Sequence, residues 1–382
     1  MHRGHEKSGF PRKEKVLVAM SGGVDSSVAA ALLLRDGYEV VGVTMRHFCF
    51  REGEASAGGQ SCCSLESLND ARKVCEHLGI SHFVIDAESD FRRFVIDDFT
   101  NNYLSGRTPN PCIRCNQYIR FPGLLNLGRS LGADRIATGH YARAGHDRGP
   151  DGPFMLLRGV DRDKDQSYFL WTMDQATLSR TIFPLGGLTK REVRSLAREF
   201  GIPVSEKPDS QEICFIPSGD YRDFLERRGG RTPALEPGPI VMTDGIELGR
   251  HDGVAFFTVG QRRGLGISGG RPFYVTEIRP ETRSLIVGVK EELLSREFTV
   301  DNPRWISGSP PSFPFSCRVQ IRHRHPGELA SIEGDGSPSL RIAFEVPQEA
   351  IAPGQSAVFF DGDRVLGGGI IREVSRSPVE PA

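Results

Sequence analysis

The chain has 382 residues, 38% of them hydrophobic and 25% charged, with a formal net charge of −1. No apolar run approaches the ~18 to 20 residues needed to cross a bilayer, and so balanced a charge excludes a bulk pull toward nucleic acid, leaving any RNA contact to local basic patches. Eight cysteines are too sparse for a disulfide scaffold, and the length exceeds one ordinary core, which points to two or three domains.

Residues 1–14 are polar and basic with no apolar stretch behind them, so a disordered leader is expected rather than a secretory signal; Glu6 and Glu14 also argue against a mitochondrial presequence. Lys15–Met20 reads as a buried strand and Val24–Arg35 as a helix ending at Gly37. Tyr38–Met45 is a second strand, Ser67–Leu78 a helix stopped by Gly79, His82–Ile85 a third strand and Asp134–Thr138 a fourth. Strand and helix in alternation imply βαβ units, hence an open parallel α/β sheet with helices on both faces. Later, Thr189–Glu192 forms a capping box, and Val193, Leu196, Ala197 and Phe200 recur at helical spacing before Gly201. Arg191, Arg194 and Arg198 fall on the outer face of that helix, read as solvated, with phosphate contact as the alternative.

Beyond about Phe215 the pattern becomes β-rich. Pro239–Met242, Val254–Thr258, Phe273–Glu277, Leu285–Gly288, Cys317–Ile321, Leu340–Phe344 and Ser356–Phe360 are strand-like runs between Gly, Pro and Asp turns, with Ser307–Phe315 a surface connection. The expected organisation is a leader over 1–14, an α/β domain over 15–215 and two small β-rich domains over 216–292 and 293–382.

Ser21-Gly-Gly-Val-Asp-Ser-Ser27 follows the first strand and opens the first helix. Its glycines let the backbone close on an anion, and amides at the helix N-terminus supply donors for phosphate oxygens, with Ser21, Ser26 and Ser27 adding hydroxyls. Asp25 would repel phosphate, so it is expected to hold Mg²⁺ or orient the loop. The Lys-Ser/Thr ending of the GTPase and kinase loop is absent. The segment resembles the signature of the PP-loop ATP pyrophosphatases, which adenylate a substrate; that resemblance implies an adenine nucleotide alpha hydrolase-like fold and leaves the substrate open.

Thr108–Pro111 is stiff and extended and leads into Cys112-Ile-Arg-Cys115. A helix beginning there places both thiols near its N-terminus with Arg114 alongside, and both effects favour thiolate. Cys214 follows in a polar stretch about a hundred residues on. Cys49, Cys75 and Cys317 sit in apolar or periodic contexts and read as buried small hydrophobes. Three readings stand for Cys112, Cys115 and Cys214: a structural zinc completed by Cys62 or Cys63, a redox dithiol, and sulfur-transfer or cluster chemistry, which takes most of the weight.

In order along the chain, Ser21–Ser27, Gly106–Pro111 with Cys115-Asn116, Ala137–Arg143, Lys164–Leu170, Ser210–Phe215, Thr258–Gly266 and Leu366–Ile370 together resemble the tRNA-specific 2-thiouridylase family, from near Lys15 to near Val374. The resemblance implies that ATP is contacted by Ala19, Met20, Ser21, Gly22, Gly23, Val24, Asp25, Ser26, Met45 and Gly139, the last two at carboxyl ends of strands, where open sheets bind ligands. It implies that Asn110, Pro111 and Cys112 border the target uracil, and that His140, Lys164, Asp165, Gln166, Arg322, His323 and Gln355 touch tRNA. Cys115 matches the family's nucleophile and Cys214 its persulfide carrier, joined by a disulfide after turnover and resupplied by an outside persulfide donor protein. Many members carry Asp where this chain has Cys112, which puts an acid–base role in doubt and admits a second mechanism, a [4Fe–4S] cluster on Cys112, Cys115 and Cys214. A cytoplasmic monomer is expected. Arg262-Arg263 and Arg322–His325 are the clearest basic clusters, and a base flipped from a single-stranded loop is the expected substrate presentation.

Overall fold

The computed structural model describes residues 13–47, 65–147, 149, 152–209, 213–216, 220–267 and 270–375. Residues 1–12 of the expected leader, Cys49, Cys62, Cys63 and Ser210–Glu212 lie outside the described residues.

The amino half builds a parallel sheet from β1 (Lys15–Ala19), β2 (Glu39–Arg46), β3 (Ser81–Asp86), β4 (Arg135–Ala137) and, after the hairpin β5 (Ala142–His146) and β6 (Phe154–Arg158), β7 (Thr181–Ile182). Its order is β3-β2-β1-β4-β7, every neighbouring pair parallel. β1 and β2 are almost wholly apolar and buried, as expected of strands covered on both faces. Helix α1 (Val24–Arg35) buries Val28, Ala29, Ala30 and Leu33 against one face, together with α2 (Leu65–His77). The opposite face carries two long helical runs. The first joins α3 (Glu88–Phe91) to α4 (Asp97–Leu104), and the second joins α5 (Pro111–Cys115) to α6 (Phe121–Leu131); each contains a π-turn, at Arg92–Ile96 and at Asn116–Arg120. Such turns concentrate at functional sites. After the short α7 (Gln175–Leu178), α8 (Lys190–Glu199) starts with the expected capping box at Thr189 and Glu192 and packs beside α1.

Following α9 (Tyr221–Gly229), β8 (Gly238–Met242), β9 (Glu247–His251), β10 (Tyr274–Arg279) and β11 (Ser284–Gly288) form a second sheet. Val254–Phe256, expected as a strand, is a 3₁₀ turn with all three residues buried. A short apolar run bounded by turn residues does not by itself distinguish strand from buried turn.

The third sheet runs β12 (Leu294–Trp305), β13 (Phe315–Gln320), β14 (Glu328–Glu333), β15 (Ser339–Glu349), β16 (Ser356–Asp361) and β17 (Arg364–Ser375). β12 pairs with both β15 and β17, so these strands close into a barrel around Val300, Val319, Ile342 and Phe359. The hairpin β5–β6, from the amino half, extends this third sheet rather than the parallel one: Val365 and Arg364 of β17 pair with Leu156 and Leu157. One continuous apolar cluster then runs from Leu17 and Met45 through Phe99 and Cys115 to Phe256, Val275 and Phe360, so all three sheets share a core.

Candidate active site

The order β2-β1-β4 reverses direction between β1 and β4, and a crevice opens at the carboxyl ends of strands flanking such a reversal. The chain turns there from Ala19 through Met20–Gly23 into α1. Met20 is locked by its N–H to Val43 O (2.8 Å) and by Thr44 Oγ1 donating to its carbonyl (2.9 Å). Gly22 has φ +70°, and a Cβ on it would stand 2.2 Å from the Ser67 carbonyl oxygen of α2. Gly23 is the N-cap of α1, and no side chain caps that helix. Its first-turn N–H groups therefore lack a side-chain acceptor, the usual makings of an anion site. The Ser27 hydroxyl donates to Gly23 O (2.8 Å), as does that of Ser26 (3.1 Å), which also accepts from Ser21 N (3.2 Å). Ser27 thus shapes the loop, and the exposed Ser21 sets its hydroxyl 3.2 Å from that of Ser26.

Gly139 closes the crevice from β4. A Cβ there would lie 2.8 Å from Ser26 N and 2.9 Å from the Asp25 carbonyl carbon. Met45, near the end of β2, is buried with its Cε against Gly123 of α6. Asp25 does not stand alone: it accepts from Tyr141 OH (2.8 Å) and from Lys190 Nζ (2.7 and 2.9 Å). Burial, followed by the neighbouring Asp25 charge, pushes the Tyr141 phenol far above its ordinary range, so it remains a donor. Lys190 was not singled out by sequence, although a lysine in the first turn of a helix opposes the macrodipole and so signals a specific partner.

The cysteine helix is set by its own sequence. Asn110 caps α5 through Oδ1 to Ile113 N (3.4 Å), and Pro111 occupies N1. Cys112 in the first turn is exposed, whereas Cys115 is only 7% exposed and joins the continuous core. Cys214 is half-buried against the same core, and Phe215 beside it packs edge-on to Phe91 and Phe99. Arg114, expected beside the thiols, is drawn to Asp98 (3.1 Å). Cys75 and Cys317 are buried, and burial pushes each thiol up to about 12, consistent with inert packing. Among the described residues no three His, Cys, Asp or Glu side chains converge to hold a metal ion. Cys112 is exposed, Cys115 buried and Cys214 half-buried, so the three thiols expected as an iron–sulfur ligand set are not gathered together in this conformation.

The barrel grips the approach to this helix. Thr108 N donates to Pro353 O (2.8 Å), and Gln355 Nε2 to Thr108 O (3.0 Å) and Pro109 O (3.2 Å). Gln355, expected to touch tRNA, thus orients the segment before the cysteines. The other residues expected at tRNA are drawn together from distant parts of the sequence. His323 Nε2 lies 3.1 Å from Asp165 O and its ring packs on Phe169. The buried Asp165 carboxylate accepts from Arg158, Gly159 N and Ser167, and so braces the turn. Gln166 accepts from Tyr141 N (3.0 Å), Lys164 pairs with Asp209 (2.9 Å), and Arg322 is exposed beside Glu349 O.

His140 is buried in the wall between the two halves of the site. A chain of contacts runs from Phe169 O through Asn116 and Arg120 to His140 and Thr138, and Arg120 in it had no sequence signal. Burial, then the adjacent Arg120 charge, holds the His140 pKa well below 6.5. The unfolded chain thus binds a proton that the folded one refuses, and stability falls as pH drops below about 6.5. Urea midpoints at pH 7.5 and 5.5 are expected to differ more for the wild type than for His140→Gln; an equal difference would remove His140 as a cause.

A family model described as the tRNA methyl transferase HUP domain matches residues 14–218, and models described as a tRNA methyl transferase PRC-barrel domain and an aminomethyltransferase β-barrel domain match 222–289 and 295–371. The chain is 48% identical over 363 residues to the tRNA-specific 2-thiouridylase MnmA of Geobacter metallireducens, covering 94% of this chain and 97% of that one. It is 47% identical over 363 residues to that of Carboxydothermus hydrogenoformans, covering 94% and 98%. Among solved structures, a 4-thiouridine synthetase–RNA complex with bound ATP is similar over 56% of this chain and 50% of that chain, at 18% identity and a TM-score of 0.36.

Proposed function

Since the chain belongs to the tRNA-specific 2-thiouridylase family, it is a tRNA 2-thiouridylase, and we propose that it adenylates the wobble uridine with ATP and sulfurates it through Cys115 and Cys214. The near full-length relatives outweigh the methyl-transfer label of the domain model, because they name an activity for the whole chain. The observation that carries the cysteine assignment is the common core: Cys115 lies within, and Cys214 against, one apolar cluster that reaches the carboxyl end of the nucleotide-loop strand.

The uracil C2 oxygen is a poor leaving group until it attacks the α-phosphorus of ATP, expelling pyrophosphate, and so becomes an adenylate that leaves as AMP when sulfur adds at C2. The terminal sulfur of a Cys214 persulfide then attacks C2. Cys115 thiolate attacks the inner sulfur, a Cys115–Cys214 disulfide forms, and the thiocarbonyl is released. A dithiol reductant supplies two electrons to reopen the disulfide, and a persulfide donor protein recharges Cys214. In a second route Cys115 attacks the persulfide first and hydrosulfide displaces AMP.

For the nucleotide, Gly22, Gly23 and the uncapped start of α1 suit the phosphates, and Gly139 lets the chain after β4 pack closely on the first turn of α1 beside them. Asp25 is the loop carboxylate able to hold Mg²⁺, and doing so requires it to part from Lys190. Asn110 and Pro111 border the uracil, while Lys164, Gln166, Arg322 and His323 line the tRNA path with His140 and Asp165 behind them. Domain limits of 15–215, 216–292 and 293–382 suit this division of labour. No helix among the described residues is long and apolar enough to cross a membrane; a cytoplasmic monomer is the proposal, as thiol turnover needs a reducing compartment.

The test is thiolation of an anticodon stem-loop and of whole tRNA by anaerobically purified protein, with ATP and a persulfide donor, alongside iron and acid-labile sulfide assays. Turnover by iron-free protein supports the thiol route. A strict requirement for reconstituted iron and sulfide would overturn it.

A further inference from the structure

The barrel loop 350–355, between β15 and β16, touches both other parts of the chain. At its start, Ala350 abuts the turn that follows Thr258: a Cβ on Gly260 would stand 2.6 Å from the Ala350 Cβ. Near its end, a Cβ on Gly354 would stand 2.9 Å from the Arg107 Cβ, and Gln355 holds Thr108 and Pro109. Just before the loop, the Glu349 carbonyl accepts from Arg322 Nη1 (3.0 Å). One seam therefore gathers arginines that the sequence sets far apart. Arg107 comes from the α/β half, Arg262 and Arg263 from the turn beside β10, and Arg322 from the barrel.

All four arginines are exposed. Among the described residues none of them pairs with a carboxylate, whereas Arg143, Arg158, Arg194 and Arg228 each do. The Glu349 carboxylate at the same seam is taken by Lys290 (3.0 Å). The turn that carries Arg262 and Arg263 is also stiff. Gln261 Oε1 accepts from Thr258 N (3.1 Å) and its Nε2 donates to Arg263 O (2.9 Å). Gly260 N donates to Val275 O (2.8 Å), and Val275 N donates to Gln261 O (2.9 Å). The two guanidiniums thus stand on backbone that is already ordered, which reduces the entropy lost on binding. A guanidinium stays charged and matches phosphate geometry. With a net charge of −1, the protein attracts a polyanion only where cations outnumber carboxylates locally, as they do here.

We propose that Arg107, Arg262 and Arg263 extend Arg322 into one phosphate-binding rim, which takes the sugar–phosphate backbone of the RNA strand beside the target uridine. Arg107 immediately precedes Thr108 and the chain that leads into Cys112 and Cys115, so a strand held on this rim lies at the approach to the cysteine helix. Its contacts are to phosphate and not to bases, so they set position and affinity and carry no sequence preference. This deepens the thiouridylase reading and rests on it.

The experiment measures binding of an unmodified tRNA transcript, containing the target uridine, to the full chain by fluorescence anisotropy over a range of KCl concentrations. Each lost phosphate contact lowers the slope of log K against log salt by about 0.7 to 0.9. The double variant Arg262→Gln with Arg263→Gln is expected to lose about 1.5 from the slope and roughly tenfold in affinity at low salt, and Arg107→Gln about 0.7. Arg262→Lys with Arg263→Lys keeps the charge and is expected to keep the wild-type slope. Arg198→Gln, at an exposed arginine of α8 paired with Glu206, is the control and is expected to leave the slope unchanged. In thiolation assays the Gln variants should raise KM for tRNA and leave kcat at saturating tRNA within about twofold. The rim is overturned if the Gln variants keep the wild-type slope and affinity, if the Lys pair loses as much as the Gln pair, or if kcat falls while KM stays put. Failure of the wild type to bind tRNA at all would instead count against the thiouridylase reading.

Discussion

Cys115→Ala and Cys214→Ala proteins are expected to lose thiolation by roughly 10³-fold or more while retaining ATP and tRNA binding. The two thiols divide one reaction, the second resolving what the first delivers, so removing either leaves no route to product. The effects should be non-additive, with the double variant no worse than either single one. Cys115 is small and buried, and truncation to Ala deletes one sulfur atom from the core, a cost of about 1 kcal/mol. Product mass spectrometry of digested tRNA reads the chemistry, and a thermal melt checks that the fold persists. Full activity in Cys115→Ala would point to a PP-loop enzyme that needs no thiol. Cys112→Ala separates the remaining routes, since loss of activity equal to that of Cys115→Ala would give the exposed thiol an essential share.

Gly22→Ala is expected to abolish ATP-dependent activity through a steric route. The added Cβ would stand 2.2 Å from the Ser67 carbonyl oxygen, and the position has φ +70°. Gly37 provides the control: it shares a positive φ, +93°, but a Cβ there meets nothing within 4 Å. Gly37→Ala should therefore cost only the left-handed backbone penalty of about 1 kcal/mol and leave nucleotide binding intact. Gly22→Ala must push α2 away or flatten the turn, and either change moves the phosphate-facing amides. A loss of at least 100-fold in ATP affinity is expected, measured by titration with a non-hydrolysable analogue. Similar affinities in the two variants would show that strain, not the contact with α2, governs the loop.

The parallel sheet was legible because its signals are local. α1 begins and ends where expected, at Val24 and Arg35, since a glycine turn opens it and Asp36-Gly37 closes it. The capping box at Thr189 and Glu192 likewise needs only four residues. Pairing across long separations was not legible. Nothing in Ala142–His146 or Phe154–Arg158 states that these strands join a sheet completed by β17, because alternation fixes the face of a strand and not its partner. The same limit applies to the site. The glycine loop and the cysteine pair are written as short motifs, whereas the contact of Lys190 with both Asp25 and Asp209 exists only after folding. Arg194, read as solvated, is instead half-buried against Ser205 and Asp209 for the same reason, whereas Arg198 stays exposed as expected.

The stitching of β5–β6 onto β17 has a bearing on biosynthesis. The hairpin leaves the ribosome roughly 200 residues before its neighbour, which at 5–20 residues per second is about 10 to 40 s. During that interval β6 presents bare amides and carbonyls along one side, an invitation to mispairing between nascent chains. The third sheet cannot be completed until β17 is made, so a message truncated before it should yield a less soluble product than the full chain.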